Sequence, residues 1–220
     1  MFVLEKATQP TIYFIGVTTT KSSIMKVFPK WAEKVGLDAV IKGIDLEIHD
    51  DPEIYREVVN FIKNDPLSMG ALVTTHKIDL YNAAKDMFDY LDPYAKMFGE
   101  LSSISKRDGK LRGHAKDPIS SGLAMEAFIP KGFWEKFRGG VFLMGAGGSA
   151  IAISSYLLNK NNGKNIPSKI VVSNRSKPRL TEIERIINMI NPDVPAEFYL
   201  APEPKVNDRL LEKMSEYSLI

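Results

Sequence analysis

A four-residue apolar run, Val141–Met144, passes directly into Gly145-Ala146-Gly147-Gly148-Ser149-Ala150 and then into a helical stretch from Ser149 to about Asn159. Strand, glycine turn and helix in this order match the G-x-G-x-x-G/A fingerprint, and no other feature of the chain constrains the fold as tightly. Gly145 would make the tight turn and Gly147 would let the backbone approach a pyrophosphate. Ala150 takes the third small position, where helix and strand pack closely. Phosphates would then lie against the helix N-terminus, held by free N–H groups and by the dipole. Gly145, Ala146, Gly147, Gly148, Ser149 and Ala150 are therefore predicted to bind a dinucleotide. A glycine-rich turn without a ligand is the competing account, disfavoured because both flanks fit.

The next strand, Ile170–Ser173, decides which dinucleotide. A site for NAD usually ends this strand in an acidic residue that bonds the ribose 2′-hydroxyl. Here the strand runs into Ser173-Asn174-Arg175-Ser176-Lys177-Pro178-Arg179, with three cations and no carboxylate. Guanidinium groups would hold a 2′-phosphate through charge-assisted bonds, each contributing about 1.5–3 kcal/mol. Three cations at a helix start oppose its dipole unless an anion sits among them. The residues predict NADP, with Asn174, Arg175, Ser176 and Arg179 as further ligands. Arg175 could also stack on the adenine face.

The rest of the chain alternates strands and helices. Thr11–Val17, Ala39–Ile48 and Gly70–Thr75 read as strands, and Ile24–Val35, Pro52–Lys63 and Lys77–Met87 as helices, with Asp51 a cap for the second. Leu101–Ser105 and Lys110–His114 flank Arg107-Asp108-Gly109, a hairpin signal. A helix from Pro118 to Phe128 is broken by Pro130-Lys131-Gly132. Beyond the glycine turn come a helix at Pro178–Ile190, a strand at Ala196–Leu200, a helix at Val206–Glu216 and the opening of a strand at Tyr217–Ile220. This alternation predicts α/β architecture with two domains. An N-terminal α/β substrate and catalytic domain with a mixed, mainly parallel sheet (1–117) precedes a partial Rossmann nucleotide-binding domain (118–220).

Among 220 residues there is no cysteine, which excludes disulfides and thiolate chemistry, and the three histidines make no plausible zinc site, so no metal is expected. A formal net charge of +2 argues against nucleic acid as a partner. No apolar run is long enough to span a membrane, and Met1–Pro10 lacks a signal-peptide pattern, so a cytoplasmic protein is expected. Its oligomeric state is expected to be monomer or homodimer.

Gly-Ala-Gly-Gly after a strand, followed by Asn174-Arg175-Ser176-x-x-Arg179, resembles the shikimate/quinate dehydrogenase family. In the first half, Gly70-Ala71-Leu72-Val73-Thr74-Thr75-His76-Lys77 is similar to that family's G-A-N-V-T-x-P-x-K segment, one residue shorter. Gly99–Ser103, Arg107–Gly113 and Asp117 are similar to G-A-V-N-T, R-D-G-x-L-x-G and N-T-D-G, and Gly16–Ser22 falls where the family has its serine loop. The resemblance implies a reversible hydride transfer between NADP(H) and a secondary alcohol or ketone of a small cyclic hydroxy acid, in aromatic amino acid biosynthesis. It makes Lys77 and Asp117 the catalytic pair, and Thr20, Ser22, Thr74 and Ser102 substrate ligands. A lysine beside a carboxylate suits the task, because hydride addition to a ketone leaves an alkoxide that needs a proton donor.

The sequence departs from the family at substrate positions. Ile24 and Met25 replace a serine and a proline, Ser102 an asparagine, and Ala115 and Lys116 the asparagine and threonine before the aspartate. A site that has lost such partners rejects a polyhydroxylated substrate, which predicts a substrate other than shikimate. His76 and His114 are read first as structural histidines and second as acid–base groups. The family's strand would continue past Ile220 into N-A-T-x-x-G, so a truncated chain is expected. Two alternatives stay open: a non-catalytic or degenerate NADP-binding homologue, and a dehydrogenase acting on a less hydroxylated substrate.

Overall fold

Thr11–Gly16 is buried at five of its six positions, the mark of a central strand covered on both faces. The computed structural model describes residues 4–220 and divides into two compact units, one ending at Lys116 and the other spanning Asp117–Ile220. In the first unit this strand (β1) lies between β2 (Val40–Asp45) and β3 (Ser68–Val73), parallel to both. Helix α1 (Ile24–Val35) connects β1 to β2 and ends at Gly36 in the left-handed conformation, φ 68°. Helix α2 (Pro52–Asn64) connects β2 to β3. Asp51 caps it by accepting the Glu53 N–H at 2.9 Å. Its buried residues Tyr55, Val58, Val59 and Ile62 share one face by their spacing, and they pack in one core with Tyr13, Ile15, Ile44 and Val73.

Helix α3 (Lys77–Ala84) follows β3 and tightens into a 3₁₀ turn at Lys85–Met87. Short strand β4 (Tyr90–Leu91) and helix α4 (Pro93–Phe98) come next. Strands β5 (Ser103–Arg107) and β6 (Lys110–His114) form the expected hairpin. Its two-residue turn has Asp108 at φ 54° and Gly109 at φ 72°, the doubly left-handed geometry that matches strand twist. The sheet order is β2-β1-β3-β5-β6-β4, with β5 antiparallel to both neighbours. Consequently β1, β3 and β6 end, and β5 begins, along one edge of the sheet. The Val73 N–H bonds Ser102 O and the Ser102 N–H bonds His114 O, each at 2.9 Å.

The second unit opens with helices α5 (Asp117–Glu126) and α6 (Phe133–Phe137), the latter not anticipated from sequence because five residues show no period. Asp117 is the first helical residue of α5. A carboxylate in the first turn favours the dipole. Strand β7 (Val141–Met144), helix α7 (Gly148–Leu157), strand β8 (Ile170–Asn174), helix α8 (Lys177–Ile190), strand β9 (Ala196–Leu200) and helix α9 (Pro204–Leu211) follow. The last helix begins two residues earlier than expected, on Pro204, whose fixed φ suits a first turn.

The strands run parallel in the order β7-β8-β9. Leu219 bridges Val141 in parallel from the side of β7 that β8 leaves free, a single bridge where the sequence suggested the opening of a strand over Tyr217–Ile220. The strand order therefore reverses at β7, the place where open α/β sheets bind ligands. Across both units five of the seven strand pairings are parallel, so the chain is α/β with mixed, mostly parallel sheets. No helix among the described residues is long and apolar enough to cross a membrane.

Candidate functional site

The turn after β7 is built to leave room. Gly145 has φ +155°, a backbone conformation L side chains rarely adopt. A Cβ placed on Gly145, Gly147 or Gly148 would meet nothing within 4 Å. Packing therefore does not require these glycines. They keep the space above the turn clear, where the first N–H groups of α7 have no carbonyl of their own helix to bond. Gly147 precedes the helix with φ −90°, and the first full turn closes from the Ile151 N–H to Gly147 O at 3.0 Å. Ala146 is buried and Ala150 packs against the core, while Ser149 is exposed at the helix start. The residues present thus fit a pyrophosphate cradled at a helix N-terminus.

Beside the turn lies a cleft of about 450 Å³. Gly145, Asn174 and Arg175 line it together, which unites the two motifs read from sequence. Asn174 shapes this end of β8: its side-chain oxygen accepts the Ser176 N–H at 2.8 Å, and its carbonyl accepts the Ala201 N–H at 2.9 Å. Arg175 is exposed. Lys177 and Arg179 stand in the first turn of α8, which carries no acidic residue. Ser176 and Arg179 are not among the residues lining the cleft. The rest of the lining, Ala201–Pro204 and Asn207, comes from the loop after β9 and from α9. Sequence reasoning missed it, although Pro202-Glu203-Pro204 after a strand is a visible loop signal.

In the first unit, the predicted substrate residues gather at the sheet edge described above. Lys77 is the first residue of α3 and follows a strained turn. Thr75 has φ 61°, rare for a β-branched residue, and the His76 N–H closes a three-residue turn onto Thr74 O at 2.6 Å. Strain of this kind concentrates where a neighbouring group must be aimed. The next segment anchors it, since Lys77 O accepts the Leu101 N–H at 3.0 Å. His76 is fully buried with Nδ1 3.0 Å from the Tyr55 hydroxyl, while its Nε2 has no hydrogen-bond partner. Burial and then Asp79 push the Tyr55 pKa up.

Thr74 and Thr20 are exposed and Ser22 is half-buried. Their loop is pinned by Thr19, whose N–H and hydroxyl reach Asp45 Oδ1 at 2.8 and 2.5 Å. Ser102 is buried, and its hydroxyl accepts the Lys116 N–H at 2.8 Å. Asp117 follows directly after Lys116 and opens the second unit.

A charged cluster at this edge was not foreseen. Asp92 is buried, caps α4 through the Ala95 N–H at 2.7 Å and accepts the Ala115 N–H at 3.3 Å. Its other oxygen lies 3.4 Å from His114 Nδ1 and 3.6 Å from Lys116 Nζ. The histidine contact is electrostatic, since Nδ1 makes no hydrogen bond. Burial, then the Lys116 charge, pull the His114 pKa below its ordinary value against the opposing effect of Asp92. No group of three or more acidic or histidine side chains that could hold a metal occurs among the described residues.

A parallel α/β unit with a glycine turn at its strand-order reversal defines a Rossmann-type fold of the dinucleotide-binding class. No family model matches the chain. It is 34% identical over 101 residues to the shikimate dehydrogenase (NADP(+)) of Bacillus cereus (strain ATCC 10987 / NRS 248), covering 46% of this chain and 34% of that protein. The corresponding protein of Bacillus cereus (strain AH820) is 30% identical over 131 residues, 60% of this chain and 43% of its own length. The chain thus spans less than half the length of the curated relatives it matches.

Among solved structures, the ligand-free 5-ketofructose reductase of Gluconobacter sp. strain CHM43 superposes with a TM-score of 0.68 at 20% identity, covering 88% of this chain and 63% of that one. Shikimate 5-dehydrogenase from Listeria monocytogenes, in complex with shikimate and NAD, gives 0.65 at 21% identity, with 90% and 64% covered. At these identities the structures show a shared fold. The curated relatives that the chain matches are shikimate dehydrogenases (NADP(+)), each matched over part of its length.

Proposed function

We propose that the chain acts as an NADP(H)-dependent oxidoreductase of the shikimate dehydrogenase type. The observation that carries this reading is the cleft shared by Gly145, Asn174 and Arg175, with the space over Gly145, Gly147 and Gly148 kept clear. The shikimate dehydrogenases (NADP(+)) that the chain resembles support the same cofactor. When bound, the dinucleotide supplies or accepts a hydride at its nicotinamide ring. The protein's own task is then to manage a proton. Lys77 Nζ donates it to the alkoxide oxygen left by ketone reduction and takes it back in the reverse direction. The Asp117 carboxylate balances and orients that ammonium.

The substrate we assign is a small cyclic hydroxy acid with fewer hydroxyls than shikimate. Ser102 stands where the family has an asparagine, and its hydroxyl is already engaged by the Lys116 N–H. A polar group that the site cannot satisfy is rejected strongly. Thr20, Ser22 and Thr74 remain as the proposed ligands at that edge.

Steady-state assays with NADP(H) or NAD(H) and a panel of cyclic hydroxy acids and ketones test the reading. The expected result is turnover with NADP(H) that Lys77→Ala abolishes. Turnover persisting in Lys77→Ala would remove that residue from the mechanism. NADPH binding without turnover on any member of the panel would favour a non-catalytic homologue.

A further inference from the structure

We propose that Asn207 reads the adenine base of the bound dinucleotide. The inference rests on the cofactor reading above and adds a residue to that site. Asn207 lies on α9 and lines the same cleft as Gly145, Asn174 and Arg175. It is half-buried, and its side-chain oxygen is shielded from water with no hydrogen-bond partner. A buried carbonyl oxygen left unpaired is costly, and such a group in a native protein calls for a partner. On the same helix Val206 and Leu210 pack into the core with Phe142 and Val171, whereas Asn207 lines the cleft.

The chemistry of the amide selects the partner. An asparagine side chain offers one acceptor and one donor side by side, and this pair matches the N6/N7 edge of adenine: the exocyclic N6 amine donates while N7 accepts, whereas hypoxanthine presents two acceptors there. The terminal torsion of asparagine is broad and roughly two-fold, so the amide can turn to present this pair to the cleft. Around it, Ala201, Pro202 and Pro204 give the flat apolar contact a base needs. Glu203, exposed in the same lining, is the other acceptor there and serves as the control.

The test is a fluorescence or calorimetric titration of the whole chain with NADP+ and with its hypoxanthine analogue, in which a carbonyl replaces the N6 amine. The wild type should bind NADP+ about tenfold more tightly than the analogue, the lower end of bidentate base discrimination. Asn207→Leu should bind both equally, with NADP+ reduced to the level of the analogue. Its melting temperature without ligand should be unchanged or raised, because an unpaired buried amide has gone. Asn207→Ala supports the same comparison if the larger side chain does not fold. Glu203→Gln should keep the tenfold preference.

Equal affinity for the two dinucleotides in the wild type, or a preference that survives Asn207→Leu and Asn207→Ala, overturns the assignment. So does loss of the preference in Glu203→Gln. Absence of any NADP+ binding by a chain with a normal melting transition would instead remove the cofactor reading, and the inference with it.

Discussion

The two units solve the same packing problem with different materials. In the second, the buried polar side chains are Ser154, Ser155, Ser173 and Asn191, all uncharged. Two of them bond back to carbonyls one turn earlier in α7, Ser154 to Ala150 O and Ser155 to Ile151 O. The first unit buries Asp65, Asp92 and His76 alongside neutral groups and depends on them to join segments far apart in sequence. Asp65 receives the Tyr13 hydroxyl at 2.6 Å and the Ala7 N–H at 3.0 Å, and Leu67 N–H bonds its other oxygen at 3.1 Å. A unit held by pattern tolerates polar change, whereas one held by buried charge is brittle at a few named positions.

The largest effect that would test this contrast is on stability. Asp65→Ala strands the Tyr13 hydroxyl and two N–H groups, and should cost about 3 kcal/mol. Ser155→Ala, removing a local back-bond in the second unit, should cost under about 1 kcal/mol. Urea unfolding of both variants checks it, and equal losses would break the comparison. The pH dependence follows from the same residue. Burial would raise the Asp65 pKa, but the Tyr13 hydroxyl, the Ala7 and Leu67 N–H groups and the Lys106 charge together hold it below the usual range. A depressed carboxylate stabilises the fold above its unfolded pKa of about 3.9 and loses that contribution as pH falls further. Asp65→Asn should therefore flatten the acid limb of a stability–pH curve.

The next effects fall on the cofactor cleft. Gly147→Val places a branched side chain in open space, so melting should barely change while NADPH binding weakens about 100-fold, or about 2.7 kcal/mol. A stable variant that still binds NADPH would show that the space over the turn is not the phosphate site. Arg175→Ala should weaken NADPH about tenfold and leave NADH within about twofold, since only the former carries a 2′-phosphate. An equal loss for both cofactors would reassign Arg175 from phosphate recognition to base stacking.

The same contrast explains what could be read in advance. The second unit was legible almost element by element, because parallel strands are short apolar runs and the glycine turn has a mechanical reason to lie between β7 and α7. Helix α6 was not, because Phe133–Phe137 is shorter than two turns. In the first unit the strands and the Asp108-Gly109 turn were legible, but β4 and α4 were missed, although Asp92-Pro93 and Gly99 mark both ends of α4. The charged cluster around Asp92 could not be read at all. Its members are 22 and 24 residues apart in sequence (Asp92 to His114 and to Lys116), and only the pairing of β4 with β6 brings them together. The role of Ser102 was likewise hidden, because sequence shows that a hydroxyl is present and not what already holds it.

The smallest predicted effect probes that cluster directly. His114 is only slightly exposed, with Ser105 Oγ 3.2 Å from Nε2, the Asp92 carboxylate 3.4 Å from Nδ1, and the Lys116 ammonium drawn to the same carboxylate. Burial comes first in lowering its pKa, and the Lys116 charge comes second. Lys116→Gln should therefore move the pKa of His114 upward while leaving it below the free value, and Asp92→Asn should move it further down. The sign for stability follows. With the folded pKa below the unfolded one, the unfolded chain binds more protons between the two values. The fold then loses stability as pH falls from about 6.5 towards the folded pKa, with no further loss below it. Lys116→Gln should narrow that window. An NMR titration of the His114 ring, distinguished from His49 and His76 by substitution, reads both shifts. A downward or null shift in Lys116→Gln would mean that the Asp92 carboxylate, not the lysine, controls the histidine, and that charge at this edge is organised around the buried acid alone.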